Sequence, residues 1–430
     1  MKNPQAIGWP TASAIVIANM IGAGIFTSLG FQLVNTQNSW SILILWLLGG
    51  VVALCGALSY AELGTYWQRS GGEYHYLSKA FHPLLGYLSG WVSLTIGFSA
   101  PVALAGMALG QYVAPYLGIS GVQLAVPVIL AVSLFHSFSI RKSGLLQNIT
   151  TLLKISLILV FIYFGLSRMS GQMAFAWDAG WQEEIVLPAF AVALIYVTFS
   201  YSGWNAASYI VDEIRDARRN LPRALIFGTL LVSILYLLLN YVFLKHNDLA
   251  SIRGELEVGK ITATAIFGDR GGQLMSFGIG LLLVSSISAM IWAGPRVIQV
   301  MGEDYRLWRW FSKKTSGQIP LRALWLQTAI TLFLLLSGTF EQVIVYSGFV
   351  LQLFAALAVA GVFAARSNPG GTAHFKSPFY PWPQIFFLVV SLWVLVYLAI
   401  AQPLETGLGM VNVLAGAVLY WWDGRGLKKK

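Results

Sequence analysis

The chain has 430 residues, of which 57% are hydrophobic and only 10% charged, with a net charge of +10 and a mean hydropathy of +0.69. Soluble domains carry about 25% charged residues, so the composition excludes an ordinary soluble protein and points to the lipid bilayer as a partner. The single cysteine, Cys55, stands inside an apolar run and excludes an internal disulfide framework.

Apolar runs of roughly 20 residues predict twelve spans, at 9–33, 40–61, 83–112, 121–140, 144–167, 185–211, 222–245, 271–295, 321–338, 342–365, 382–401 and 405–422. The first run is expected to belong to the fold rather than to a cleaved leader. It carries Gly22-Ala23-Gly24 near its middle, and glycine is poor in a helix interior because its backbone loses most freedom there. A helix that stops and restarts accounts for the pair, and so does close packing against a neighbouring helix. A break frees backbone groups that hydrocarbon cannot satisfy. The restarting helix then turns N–H groups toward an anion, and the ending one turns carbonyls toward a cation. A zwitterion fits both ends.

The polar and aromatic connection from Tyr66 to His82 suits a short amphipathic helix on the cytoplasmic surface. The sixth span holds Phe199-Ser200-Tyr201-Ser202-Gly203-Trp204-Asn205 at its middle, weak helix formers where its neighbours have leucine. Spans one and six would begin two groups of five that cross in opposite directions. Interrupted segments at matching positions of inverted halves mark a transporter's binding site. The longest connection on the other side, His246 to Arg270, suits a lid or an ordinary loop.

Basic residues test this map. Arg168, Lys245, Arg253, Lys260 and Arg270 fall in odd-numbered connections and Lys154 inside a span. The other Lys and Arg residues, Lys2, Arg425, Lys428, Lys429 and Lys430 among them, fall at the termini or in even-numbered connections. The positive-inside rule then places both termini in the cytoplasm. The charge excess is a topology signal, so no nucleic-acid partner is expected. Trp9, Trp40, Trp67, Trp91, Trp181, Trp382, Trp421 and Trp422 lie near span ends, as an aromatic belt requires.

Gly22-Ala23-Gly24-Ile25-Phe26 resembles the Gly-x-Gly-Ile-Phe signature of the amino acid–polyamine–organocation (APC) superfamily. The segment from Phe199 to Asn205, followed by Glu213, Arg219-Asn220-Leu221-Pro222 and Ala224, is similar to its L-amino acid transporter branch. The resemblance implies an all-α membrane protein with a five-plus-five inverted repeat of the leucine-transporter type. Its first repeat would be 1–168 and its second 185–366, with accessory spans at 382–422. It implies a multi-pass carrier in the plasma membrane. The substrate carboxylate would meet the N–H groups of Ala23, Gly24 and Ile25. The ammonium would meet carbonyls around Ala18 to Ile21 and near Phe199 and Ser202, with Gly22, Ser200 and Gly203 completing the site. Phe199 matches an aromatic gate. Many relatives have serine where Ala23 stands.

Spans 1, 3, 6, 8 and 10 contain no charged residue in their interiors, and an unpaired charge at that depth is costly. Small or medium neutral L-amino acids are therefore expected, and polyamines are not. Lys154 is the one charged residue deep in a span. It lies at least roughly 18 Å from either flank at about 1.5 Å per residue, beyond the reach of snorkelling. It needs oxygen partners, and the carbonyls near Gly22 with Ser285, Ser286 and Ser288 can supply them. In the family a matching lysine stands where sodium-coupled relatives bind Na⁺, which implies sodium independence. A lysine that releases its proton in the cycle makes a proton symporter, and one that stays charged makes an exchanger. Tyr236 matches a tyrosine near the first break in some relatives, with packing as the equal alternative.

Asp212, Glu213, Arg215, Arg218 and Arg219 suit a gate at the cytoplasmic end or a solvated face. No paired Asp, His–Glu–x–x–His or Ser–His constellation stands at membrane depth, so no enzyme, metal or cofactor is expected. The connection 111–121 lacks cysteine, so no disulfide-linked accessory subunit is expected there. The leading expectation is a sodium-independent exchanger of neutral amino acids. Proton symport and an amino-acid-sensing receptor of the same fold are the alternatives.

Overall fold

The computed structural model describes residues 7–138, 140–168, 180–315, 319–367 and 374–423. Lys2, Arg425, Lys428, Lys429 and Lys430, which enter the charge count, lie outside these. The described chain is almost wholly helical.

The first predicted span is two helices, α1 (Trp9–Met20) and α2 (Gly24–Asn35). A long α3 (Ser39–Tyr66) and a short α4 (Glu73–Ala80) follow. The third span is α5 (Pro83–Val92), a π-helical stretch (Ser93–Phe98) and α6 (Ser99–Leu117). Next come α7 (Gly121–His136), α8 (Ile140–Ser167) and the single turn α9 (Trp181–Glu184). The sixth span is α10 (Pro188–Tyr201) and, after a break, a 3-10 segment (Ala206–Glu213). The remainder is α11 (Ala217–His246), α12 (Leu249–Ile252), α13 (Val258–Asp304), α14 (Leu321–Ser337), α15 (Phe340–Arg366), α16 (Trp382–Ala401) and α17 (Pro403–Trp422). Among the described residues nine helical stretches are long and apolar enough to cross a membrane, and α7 and α14 are shorter apolar helices.

The broken spans lie innermost. The stretch from Trp9 to Val34 is almost entirely buried, whereas α16 and α17 keep most of their surface exposed. Around the broken pair, α11 packs on α1 and α3, α13 runs along α6 and α8, and α10 lies against α2 and α16. An extended segment at Ile7 pairs with the chain after the second break through Ile7 N–H to Glu213 O (2.8 Å) and Arg215 N–H to Ile7 O (2.9 Å).

Two expectations about connections fail. The helix between Tyr66 and His82 exists, but Glu73, Tyr74, His75, Tyr76 and Leu77 of α4 are buried, so it is no surface helix. Backbone bonds from Gly71 and Gly72 to Tyr209 and Ser208 (both 3.3 Å) draw it inward against the second break. The stretch His246 to Arg270 is no open loop. Leu249–Ile252 is a helical turn, and α13 already begins at Val258, kinking at Gly268. The part between them is tied to α2 by Gly254 N–H to Gly30 O (2.8 Å), and the Tyr112 hydroxyl donates to both Phe26 O (2.9 Å) and Leu256 O (3.3 Å).

Candidate functional site

The site is built from the two breaks. The last four carbonyls of a helix have no partner within it, so their partners show how the first break is held. Ile17 O accepts from Ile21 N–H (2.8 Å). Ala18 O and Ile21 O accept from Lys154 Nζ at 3.2 and 2.6 Å, and Ser286 Oγ adds a bond to Ile21 O (2.7 Å). Met20 O accepts from the Tyr236 hydroxyl (2.6 Å) and Gly22 N–H (2.8 Å). Of α1's closing carbonyls, Asn19 O alone keeps no donor among the described residues. On the restarting side, Ala23, Gly24 and Ile25 N–H groups find no acceptor among the described residues. They are bare donors at a helix N-terminus.

The second break sits against the first. Gly203 has φ +98°, a conformation only glycine adopts cheaply, and a Cβ there would meet the Asn19 backbone at 2.8 Å. Gly24 approaches α10 so closely that a Cβ would lie 2.8 Å from Ser200 Cα. Ser200 Oγ bonds Ser28 Oγ (2.9 Å) and Tyr196 O (2.7 Å). The Tyr236 hydroxyl also reaches Ser200 O (3.1 Å). One phenol on α11 therefore ties the carbonyls of both broken spans.

Two adjoining cavities occupy the crossing. The narrower, about 20 Å³ for the centres of water-sized molecules, is lined by Asn19, Gly22, Ala23, Gly24, Phe199 and Ser202, among others. The wider, about 70 Å³ by the same measure, shares Asn19, Phe199 and Ser202 and continues past Phe98, Trp204 and Asn205 to Tyr209 and Glu73. The π-helical stretch ends at Phe98 and turns it and Gly97 into that space.

Lys154 is fully buried and held by three oxygens, the third being Ser286 Oγ at 2.8 Å. It joins α8 to the first break and to α13. Of the three serines expected near it, only Ser286 arrives. Ser285 bonds Thr150 (3.0 Å) and Ser288 bonds His136 (2.7 Å), because successive helical residues point about 100° apart. Gly22, Ala23, Gly24, Phe199, Ser200, Ser202 and Gly203 line the cavities. Ile21 and Ile25 do not, and both side chains are buried in the core.

Residues 7–421 match the profile of the amino acid permease family. Over 438 aligned residues the chain is 30% identical to the serine/threonine exchanger SteT of Bacillus subtilis (strain 168), covering 99% of this chain and 97% of that protein. The chain belongs to the amino acid permease family. This is a family of transporters within the APC superfamily, and the permease is not an enzyme. It is also 29% identical over 376 residues to the b(0,+)-type amino acid transporter 1 of Homo sapiens (84% of this chain, 76% of that one). With the cystine/glutamate transporter of Homo sapiens it shares 28% over 429 residues (95% and 84%).

Reading the permease span by span missed Glu73 and its neighbours. The carboxylate accepts from the Tyr60 hydroxyl (2.6 Å), Asn205 Nδ2 (2.8 Å) and the Tyr209 hydroxyl (2.5 Å). Burial pushes its pKa above the usual carboxylate value, and the three donors pull it back part of the way. The only signal in sequence was an acidic residue inside an aromatic connection, which equally suits a surface helix.

Proposed function

We propose that the permease is a sodium-independent exchanger of small and medium neutral L-amino acids that works by alternating access. The observation that carries this reading is the pairing of bare Ala23, Gly24 and Ile25 N–H groups with the unpartnered Asn19 carbonyl across the narrow cavity. The N–H groups suit an α-carboxylate, and Asn19 O with the end of α10 suits an α-ammonium. No charged side chain lines that cavity, which favours neutral substrates at the head-group end. Sodium independence is supported by the Lys154 ammonium, which takes the oxygens a metal cation would need. Exchange is supported by the Bacillus relative, itself a serine/threonine exchanger.

The same reading takes α1–α2, α10 with its 3-10 continuation, α7 and α14 as crossings alongside the longer helices. That makes twelve, arranged as two inverted groups of five with α16 and α17 outside them. Both termini are then cytoplasmic, in a plasma-membrane protein with no disulfide-linked subunit. Proton symport is the second reading, favoured by an ammonium that has only neutral oxygens for partners.

Counterflow in proteoliposomes, without sodium and at two pH values, tests the proposal. Labelled serine or alanine is expected to enter only vesicles preloaded with unlabelled substrate. Uptake into empty vesicles driven by a proton gradient would make the protein a symporter. Binding with no accumulation under any condition would make it a receptor.

A further inference from the structure

Away from the two cavities, a groove on the outer surface follows the start of α11. Its polar part, about 500 Å³ for the centres of water-sized molecules, is lined by Asp216, Arg218, Arg219 and His374. Its apolar part, about 750 Å³ by the same measure, shares both arginines and His374. From them it continues past Arg223 to Trp9, Phe227, Leu230 and Phe375.

The sequence of α11 explains this anatomy. Arg219, Arg223, Phe227, Leu230 and Ile234 follow one another at steps of four, four, three and four residues, which puts them on one helical face. At about 1.5 Å per residue, the part from Arg223 to Ile234 runs roughly 16 Å, close to half of a hydrocarbon core about 30 Å thick. Phe227, Leu230 and Ile234 are 48, 47 and 49% exposed. Trp9 forms a wall of the groove, meeting Phe227 edge-on at 5.9 Å.

Charge does not cancel at the polar end. Arg219 approaches Asp216 only to 3.9 Å, and among the described residues Arg218 and Arg223 enter no ion pair. The first turns of a helix favour acidic side chains, so helix stability does not call for arginines there. Three guanidiniums against one carboxylate leave a positive pocket above an apolar trough, and guanidinium forks match phosphate oxygens. A free phosphate or an acidic peptide suits the arginines but leaves the trough unfilled. In a membrane protein the trough faces lipid.

We infer that this groove binds an anionic phospholipid from the leaflet at the end of the molecule carrying the N-terminus. Arg218, Arg219 and Arg223 hold its phosphate, and an acyl chain lies along Phe227, Leu230 and Ile234. Trp9 opens α1, and the Phe375 N–H bonds Thr65 Oγ1 of α3 (3.1 Å). The lipid therefore joins the start of the first broken span to α11 and to the connection before α16.

Native mass spectrometry of the full chain in detergent, titrated with phosphatidylglycerol or phosphatidylcholine, tests the site. One phosphatidylglycerol should bind at least about tenfold more tightly than phosphatidylcholine, since each arginine near an anionic headgroup contributes about a fivefold factor. Neither inorganic phosphate nor glycerol 3-phosphate should displace it. Arg218→Gln, Arg219→Gln and Arg223→Gln together should abolish the preference. Arg306→Gln, Arg309→Gln and Lys313→Gln together, an equal loss of charge on the connection after α13, should keep it. Equal retention of the two lipids by the natural protein overturns the site. So does an equal loss in both triple variants, which would mark attraction to the positive surface as a whole. Displacement by either soluble phosphate overturns the lipid as occupant. The comparison of lipids needs no variant, so a poorly folding triple variant leaves the decision intact.

Discussion

An ammonium taken out of water loses several kcal/mol of hydration, and Lys154 must recover this from neutral oxygens alone. Ala18 O, Ile21 O and Ser286 Oγ lie within 3.2 Å of its Nζ, and two of them are carbonyls freed because α1 stops at Met20. The lysine and the break therefore satisfy each other. Lys154→Ala leaves Ala18 O without a partner, whereas Ser286→Ala removes a single hydroxyl. At about 1–3 kcal/mol for each buried group left unsatisfied, Lys154→Ala should cut exchange by tenfold or more and Ser286→Ala by a smaller factor. Expression, followed by size-exclusion chromatography, should fall less than exchange in both. Equal exchange rates in Lys154→Ala and the natural protein would remove the lysine from the working site.

At the scale of the element, α4 decides more than its eight residues suggest. It enters the protein beside the second break and brings Glu73 to the cavity, with His75 buried two residues on. Burial, then the Arg69 and Lys79 charges, push the His75 pKa down to about 4 from an ordinary 6.5. Between those values the unfolded chain binds a proton that the folded chain refuses. Stability therefore rises with pH across this window, is fully present above 6.5 and is lost as pH falls through 4. Thermal unfolding in detergent should show a lower Tm at pH 5 than at pH 7.5, and His75→Gln should flatten that difference. An identical pH dependence in the variant would show that α4 is not held by a neutral His75.

For the whole molecule, the proposed alternating access would expose the cavity between the breaks to each side in turn. At the end carrying the N-terminus, Arg296 pairs with Glu213 (2.9 Å) and Arg69 with Asp304 (2.9 Å). At the other, the chain before α13 is bonded to α2. Thr198 lines the cavity and is partly exposed, and Cys55 is the only natural thiol. In a Cys55→Ala background, Thr198→Cys should react with a water-soluble thiol reagent, and saturating serine should slow that reaction several-fold. Labelling that ignores serine would separate this cavity from the transport path.

The sequence by itself determined the membrane class, and it pointed to the first break, to the second break and to the depth of Lys154. Each rests on a local signal: paired glycines, a run of weak helix formers, or a charge too deep to reach water. Only the tertiary structure decided which oxygens hold the lysine, that Tyr236 binds both breaks, and that a carboxylate closes the cavity. Glu73 stands 132 residues from Asn205 and 136 from Tyr209 along the chain. No spacing encodes a meeting between a connection and a broken span. Charge inside the spans can be read from hydropathy, but charge delivered to the cavity from a connection depends on where that connection packs.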